Sequence, residues 1–199
     1  GTPFKLYYLP RIGEQIKRSR NLFNRAIKAN DYKGKYHYAY CTKCNHFQHV
    51  VSTALKHNVD LETSSAFDID LIEKLEKQNK IDKKRTIIHN GFKTDSYVEK
   101  ILRLQKSGFK KSIIILDNVK ELSRILKHPI ENKLQVGLRM AIDEEPQSAY
   151  YTSRLGIRHN EIISYYKNEI KPNDKVQLRM LHFFIDSGIK DSIYYWGEF

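Results

Sequence analysis

The chain has 199 residues, 40% of them hydrophobic and 29% charged, and its 35 lysines and arginines against 23 acidic residues give a formal net charge of +12. That composition excludes a disordered or fibrous protein, and a domain of this size buries roughly 70% of its unfolded surface, so folding requires neither a disulfide framework nor a structural metal. No apolar run approaches the ~18 residues of a membrane span, no signal-peptide pattern opens the chain, and two cysteines point to a reducing compartment, so the expected setting is cytoplasmic with no membrane partner.

Phe4 to Leu9 reads as an opening strand, followed by a helix from Ile12 to Lys28 whose apolar residues Ile12, Ile16, Leu22, Phe23, Ala26 and Ile27 recur at helical spacing. Strands are then predicted at Tyr36 to Lys43, Leu61 to Ser64, Arg85 to His89, Ser112 to Leu116, Leu134 to Ala141 and Gln177 to Ile185. Helices fall between them near Phe47 to His57, Phe67 to Gln78, Thr94 to Gly108, Val119 to Lys127 and Asn160 to Lys167. Asn90-Gly91 and Asp117-Asn118 supply turns after strands, and Gly108 ends a helix. This alternation is the pattern of βα units on a parallel sheet. A closed (β/α)8 barrel, the TIM barrel, needs eight strands and ~250 residues. The chain is therefore read as one incomplete barrel domain over residues 1–199, with a doubly wound open sheet as the alternative that periodicity alone leaves standing.

The positive charge is scattered. Lys17-Arg18-Ser19-Arg20, Lys83-Lys84-Arg85 and Lys110-Lys111 lie beside acidic residues or at element ends, and no helix carries a continuous basic stripe with stacking aromatics. Solvated surface is the expectation, and no nucleic acid partner.

The most informative segment is Tyr36-His-Tyr-Ala-Tyr-Cys-Thr-Lys-Cys-Asn45. Strand alternation puts Tyr36, Tyr38 and Tyr40 on a face that packs on helices, and His37, Ala39, Cys41 and Lys43 on the other. Small residues leave room beside Lys43 for a planar ligand at the C-terminal mouth of a barrel. Partial desolvation there lowers a lysine pKa and supplies the neutral amine that a Schiff base needs. The ordinary alternative is a solvated strand-end lysine. Cys41-x-x-Cys44, followed by His46 and His49, offers a redox pair or a zinc site instead, although alternation points the two cysteines in opposite directions and no second such pair follows.

Tyr40-Cys-Thr-Lys-Cys-Asn45 resembles the cofactor-lysine strand of the alanine-racemase-like, fold type III, pyridoxal-phosphate-dependent decarboxylases of ornithine, arginine and diaminopimelate. Further similarities follow in the family's order: Gly1-Thr-Pro-Phe4, Leu61-Glu-Thr-Ser-Ser65, Ile87-Ile-His-Asn-Gly-Phe-Lys93, Gly137-Leu-Arg-Met140, Arg154-Leu-Gly156 and Leu181-His-Phe-Phe-Ile-Asp-Ser-Gly188. Tyr-Cys-Thr-Lys and Asn-Gly-Phe-Lys are most similar to arginine decarboxylases.

By position, the resemblance implies that Lys43 carries pyridoxal 5'-phosphate, with Glu62 near that lysine, Arg139 facing the cofactor and Ser187 holding its phosphate. Glu62 and Arg139 could also form an ordinary ion pair, and Ser187 a helix cap. His182 is read as a packed, hydrogen-bonded core residue. Phe184 stands where the family has its cofactor-stacking histidine and Asp186 where it has a glycine; phenylalanine can stack on a ring but cannot move a proton. The implied chemistry is loss of an α-carboxylate as CO2, the cofactor ring acting as electron sink, with arginine giving agmatine for polyamine synthesis. A magnesium ion is an accessory that this chemistry admits. The partners implied are a small amino-acid substrate and further copies of the parent enzyme in a homodimer or higher homo-oligomer. The family's phosphate-binding loop and C-terminal β-domain lie beyond this stretch, so the isolated chain is expected to be inactive. Diaminopimelate, ornithine or carboxynorspermidine decarboxylation, or a non-catalytic carrier barrel, are the alternatives.

Overall fold

A computed structural model of the chain describes residues 1–141 and 155–184. Helix α1 (Pro10–Ala29) leads into five βα units and a last strand: β1 (Ala39–Cys41), α2 (Gln48–Leu55), β2 (Asp60–Thr63), α3 (Ala66–Lys77), β3 (Ile87–His89), α4 (Asp95–Lys106), β4 (Ser112–Leu116), α5 (Glu121–Ile125), β5 (Leu134–Arg139), α6 (His159–Tyr165) and β6 (Val176–His182). Helix α6 runs on as a π-helical turn over Tyr166–Ile170.

The six strands form one parallel sheet in the order β1-β2-β3-β4-β5-β6. A doubly wound sheet reverses its strand order at a switch point, and no reversal occurs here. This α/β architecture is a partial (β/α)8 barrel. Its register runs through Cys41 opposite Glu62, Glu62 opposite Ile88, Ile115 opposite Gly137 and Arg139 opposite His182. A register shift between Val136 and Gly137 lets β6 gain a residue there. Met180 as well as Leu178 thereby packs inward, on opposite faces of the sheet.

Two apolar layers result. The larger, between sheet and helices, takes Leu61, Ile87, Ile114, Val136 and Leu138 from the strands and Val51, Ile69, Ile72, Val98, Ile101 and Leu104 from the helices, with Tyr38 and Tyr40 packed against it. The smaller, on the opposite face, gathers Ile88, Ile113 and Ile115 with Ala39 and Met180. The expected division of β1 into a tyrosine face and a small-residue face is therefore observed. Local chemistry sets the helix starts: Pro10 occupies the first turn of α1, the Asp68 carboxylate accepts from the Ser64 and Ser65 amides ahead of α3, and the Thr94 hydroxyl accepts from the Tyr97 amide at the start of α4.

Three boundaries are corrected. Residues 1–8 carry no strand, and Phe4 and Leu6 are each 84% exposed. Alternating apolar residues make a strand only where a neighbour accepts their backbone hydrogen bonds, and among the described residues none pairs with this segment. Strand β1 is three residues long rather than the eight of Tyr36 to Lys43. Strand β6 starts at Val176 and closes at His182, while Ile185, at the expected end, lies outside the described residues.

Candidate active site

Pairs of residues two apart along a strand share a face. Two places beyond Ala39, Ile88, Ile115, Gly137 and Met180 on the inner face stand Cys41, Asn90, Asp117, Arg139 and His182, joined on β2 by Glu62, the register partner of Cys41. These six polar residues line the C-terminal ends of neighbouring strands, where barrel enzymes keep their chemistry. Gly137 is glycine because that layer is full: an added Cβ would meet Ile115 Cδ1 at 2.5 Å and Met180 Cβ at 3.2 Å.

Asn90 links one side to the other. Its side-chain nitrogen donates to Glu62 Oε1 at 3.1 Å and lies 3.3 Å from His182 Nε2, while its oxygen accepts from the Gly91 amide at 2.9 Å. Gly91 holds a φ of +78°, and a Cβ there would strike the Ser64 carbonyl. The Cys41 thiol donates to the same Glu62 oxygen at 3.7 Å. With both amide hydrogens of Asn90 engaged, His182 Nε2 is the acceptor and the ring proton sits on Nδ1. That Nδ1 is buried and meets no hydrogen-bond partner among the described residues. Burial, and secondarily the Arg139 charge, lower the His182 pKa against the opposing pull of Glu62, so the imidazole is held neutral.

The other side is charged and dry. Lys93 Nζ lies 3.2 Å from Asp117 Oδ2 and 3.5 Å from Glu121 Oε2, and all three side chains are at most 4% exposed. Glu121 Oε2 also accepts from the Asp117 amide at 2.7 Å. Burial raises the Glu121 pKa, offset in part by Lys93. Asp117 Oδ1 faces Arg139 at 3.6 Å, and the Arg139 guanidinium lies 5.8 Å from the centre of the Phe184 ring. The Glu62–Arg139 ion pair that stood as the alternative to their cofactor roles does not form, because Arg139 is drawn to Asp117 on the adjacent strand. Behind the sheet, His89 is fully buried, with Nδ1 at 2.9 Å from the Thr63 hydroxyl, which the Tyr97 hydroxyl meets at 2.6 Å. Burial, then the Lys93 charge, depress the His89 pKa to about 3.

Lys43 follows Cys41 in a turn at the edge of this row, and it is exposed. The anticipated partial desolvation of its amine is therefore absent, because the strand stops two residues earlier than expected. The turn itself is fixed: Thr42 donates its amide and its hydroxyl to the Glu62 carbonyl at 2.9 and 3.0 Å, and the Tyr40 hydroxyl donates to the Asn45 carbonyl at 2.9 Å. Phe184 lies two residues past β6 and is 51% exposed. His182 is hydrogen-bonded as expected, although half-buried. Ser187 and Asp186, with Arg154 of the Arg154-Leu-Gly156 element, lie outside the described residues.

Sequence reasoning missed Asn90, Lys93, Asp117 and Glu121 as parts of this surface. Asn90 and Asp117 were legible as turn residues, and the signal that marked them for more was their position directly after an apolar strand. Among the described residues, no group of three or more His, Cys, Asp or Glu is placed to hold a metal ion, so neither zinc at Cys41 and Cys44 nor magnesium finds support. No helix among them is long and apolar enough to cross a membrane.

The donor set suits an anionic aromatic aldehyde such as pyridoxal phosphate: a primary amine within reach of solvent, a guanidinium, and a half-buried imidazole beside them. Comparison with known proteins agrees. The profile of the pyridoxal-dependent decarboxylases, pyridoxal binding domain, matches residues 13–197. A biosynthetic arginine decarboxylase of Prochlorococcus marinus (strain MIT 9215) is 26% identical over 96% of this chain and 30% of its own length. The biosynthetic arginine decarboxylase of Campylobacter jejuni superimposes with a TM-score of 0.70 at 25% identity, covering 91% of this chain and 29% of that one. Diaminopimelate decarboxylase from M. jannaschii, solved with L-lysine, shares the fold with a TM-score of 0.66 at 20% identity, over 94% of this chain and 43% of that one. The chain thus spans about 30% of the length of the curated relatives it matches.

Proposed function

Because this chain belongs to the pyridoxal-dependent decarboxylases, as their pyridoxal binding domain, we propose that the protein containing it removes the α-carboxylate of a basic amino acid as CO2, with arginine to agmatine as the preferred reaction. The observation that carries the reading is the row of Cys41, Glu62, Asn90, Asp117, Arg139 and His182 along one edge of a parallel sheet, with Lys43 in the turn beside it. Arginine is favoured by the curated relatives and by the likeness of Ile87 to Lys93 to arginine decarboxylases.

Lys43 would hold pyridoxal phosphate covalently, with Arg139, His182, Phe184, Ser187 and Glu62 around it. When bound, that group supplies a ring that takes up the electron pair left by the departing carboxylate. The chain's residues do the rest. Glu62, oriented by Asn90 and Cys41, keeps a carboxylate near the lysine and favours a cationic partner there. Asp117 aims Arg139 and neutralises part of its charge, so the guanidinium stays attractive to an anion without binding it irreversibly. The neutral His182 is held beside Asn90, and Phe184 offers a ring face but no proton. The domain would act in the cytoplasm as the barrel part of a homodimer or larger homo-oligomer.

The test is CO2 release by the full-length protein from L-arginine, L-ornithine, L-lysine and diaminopimelate. Arginine should turn over fastest. Faster release from another amino acid would overturn the arginine assignment, and release from none would overturn the decarboxylase. Phenylalanine at position 184 favours one second reading, a non-catalytic carrier, which a covalent label on Lys43 without CO2 release would select.

A further inference from the structure

The motif Cys41-Thr42-Lys43-Cys44 contains two thiols that the proposed reaction does not use. Strand β1 ends at Cys41, and the chain turns so that the Cys44 amide donates to the Cys41 carbonyl at 3.2 Å. A four-residue turn closed in this way keeps its end Cα atoms within about 7 Å. Disulfides span Cα separations of roughly 4.4–6.8 Å. The alternation that set the two cysteines on opposite faces applies inside a strand, and Cys44 lies beyond one. Anchors on both sides hold the turn in this shape, at Thr42 through the Glu62 carbonyl and at Asn45 through the Tyr40 hydroxyl.

The two sulfurs are not equivalent. Cys44 is exposed and Cys41 half-buried. Burial and the Glu62 carboxylate push the Cys41 thiol up to about 11, against the opposing effect of the Lys43 and Cys44 amides directed at its sulfur.

We propose that Cys41 and Cys44 form a reversible disulfide that gates Lys43, the residue enclosed between them. The gating half rests on Lys43 being the cofactor lysine, whereas the disulfide half does not. The oxidant is a low-molecular-weight disulfide of the glutathione class. Cys44 as thiolate attacks one of its sulfurs, forming a mixed disulfide and releasing one thiol. Cys41 then gives up its proton, attacks the Cys44 sulfur and expels the second thiol. Two protein thiols lose two electrons and two protons, and the small disulfide takes them up. Closure pulls the Cys41 sulfur from Glu62, removing one of that carboxylate's two side-chain partners. It also closes Cys41 to Cys44 into one small ring with Thr42 and Lys43 inside it, so the amine loses the freedom to swing from solvent toward the row of polar residues. A high-pKa leaving thiol at Cys41 makes the bond slow to reopen, which suits a switch set by sustained oxidation.

The full-length protein, equilibrated across a series of reduced-to-oxidised glutathione ratios, is quenched with an alkylating reagent and cleaved at aspartate. The peptide between Asp31 and Asp60 contains both cysteines. At the oxidised end it should be lighter by two hydrogens and unalkylated, and dithiothreitol should restore two alkylations. Cys41→Ser should trap glutathione on Cys44. Two alkylated cysteines throughout the series, or glutathione persisting on Cys44 of the unsubstituted protein, would overturn the disulfide. In parallel, borohydride reduction with pyridoxal phosphate should label Lys43 in the reduced protein and lose that label in the oxidised one, while Cys44→Ser labels equally in both. Equal labelling of the disulfide form overturns the gate. A reduced protein with no label on Lys43 overturns the gate through the cofactor-lysine reading, and the peptide mass still decides the disulfide.

Discussion

On the β3–β5 side of the strand ends, Lys93, Asp117 and Glu121 are each no more than 3% exposed, whereas on the β1 side Lys43 stands in solvent and Cys41 is half-buried. Both sides carry charge, but only the first has withdrawn it from water. A buried ion cluster survives by satisfying its own members, so removing one leaves the others stranded at a cost of several kcal/mol. An exposed lysine has no such dependants. Stability should therefore answer to the β3–β5 side, and ligand chemistry to the β1 side.

The largest expected effect is Lys93→Met, which leaves the Asp117 and Glu121 carboxylates buried with only Arg139 nearby. Unfolding free energy from urea titration should fall by about 3–5 kcal/mol. A fall under ~1 kcal/mol would mean that water reaches the cluster and that the two sides are not different in kind.

Acid sharpens the same contrast through His89. Its folded pKa, about 3, lies below the ~6.5 of an unfolded histidine. Between those values the unfolded chain binds a proton that the folded one refuses, so stability is present above the unfolded pKa and is lost as pH falls. The loss for this one group approaches about 1.4 kcal/mol per pH unit within that window. His89→Gln should flatten that part of the stability profile below pH ~6.5; an unchanged slope would mean that His89 charges in place. His182, whose pKa burial also lowers, adds a slope of the same sign that this variant leaves intact.

Gly137→Ala tests the inner apolar layer under the row. Its Cβ would meet Ile115 and Met180, and overpacking of this kind costs about 1–3 kcal/mol, read as a lower Tm. An unchanged Tm would show that the layer yields. On the outer surface, Arg103→Ala removes an ion pair with Glu73 at 2.8 Å, with the arginine 57% exposed, and should cost no more than ~1 kcal/mol by urea titration.

How much of this was legible depended on whether local pattern and tertiary pairing agreed. Strand β4 was read residue for residue, because Ile113 to Leu116 is a continuous apolar run between Lys111-Ser112 and Asp117 and the strand is buried on both faces. Phe4 to Leu9 shows comparable apolar content but has no neighbouring strand among the described residues, a fact that only the folded chain contains. The face assignment of β1 survived its shortening, since Tyr40 and Cys41 remain in the strand, but Lys43 fell outside and its burial was misjudged. Arg139 and His182 were found through the likeness of their strands to the family's, while the Asp117–Arg139 pair was not, because cross-strand partners depend on the β4–β5 register, which sets Leu116 opposite Leu138 and so Asp117 beside Arg139. Lys93 was visible only as the end of a similar segment, and nothing local distinguishes a buried lysine from a solvated one.

The central claim is that the exposed turn of β1, and not the buried cluster, carries the cofactor bond. The direct measurement is borohydride reduction of the full-length protein with pyridoxal phosphate, followed by peptide mapping, in the unsubstituted protein and in Lys43→Ala. The account predicts one label, on Lys43, abolished in Lys43→Ala with no loss of urea stability. Labelling spread over surface lysines, or a label retained in Lys43→Ala, would contradict it.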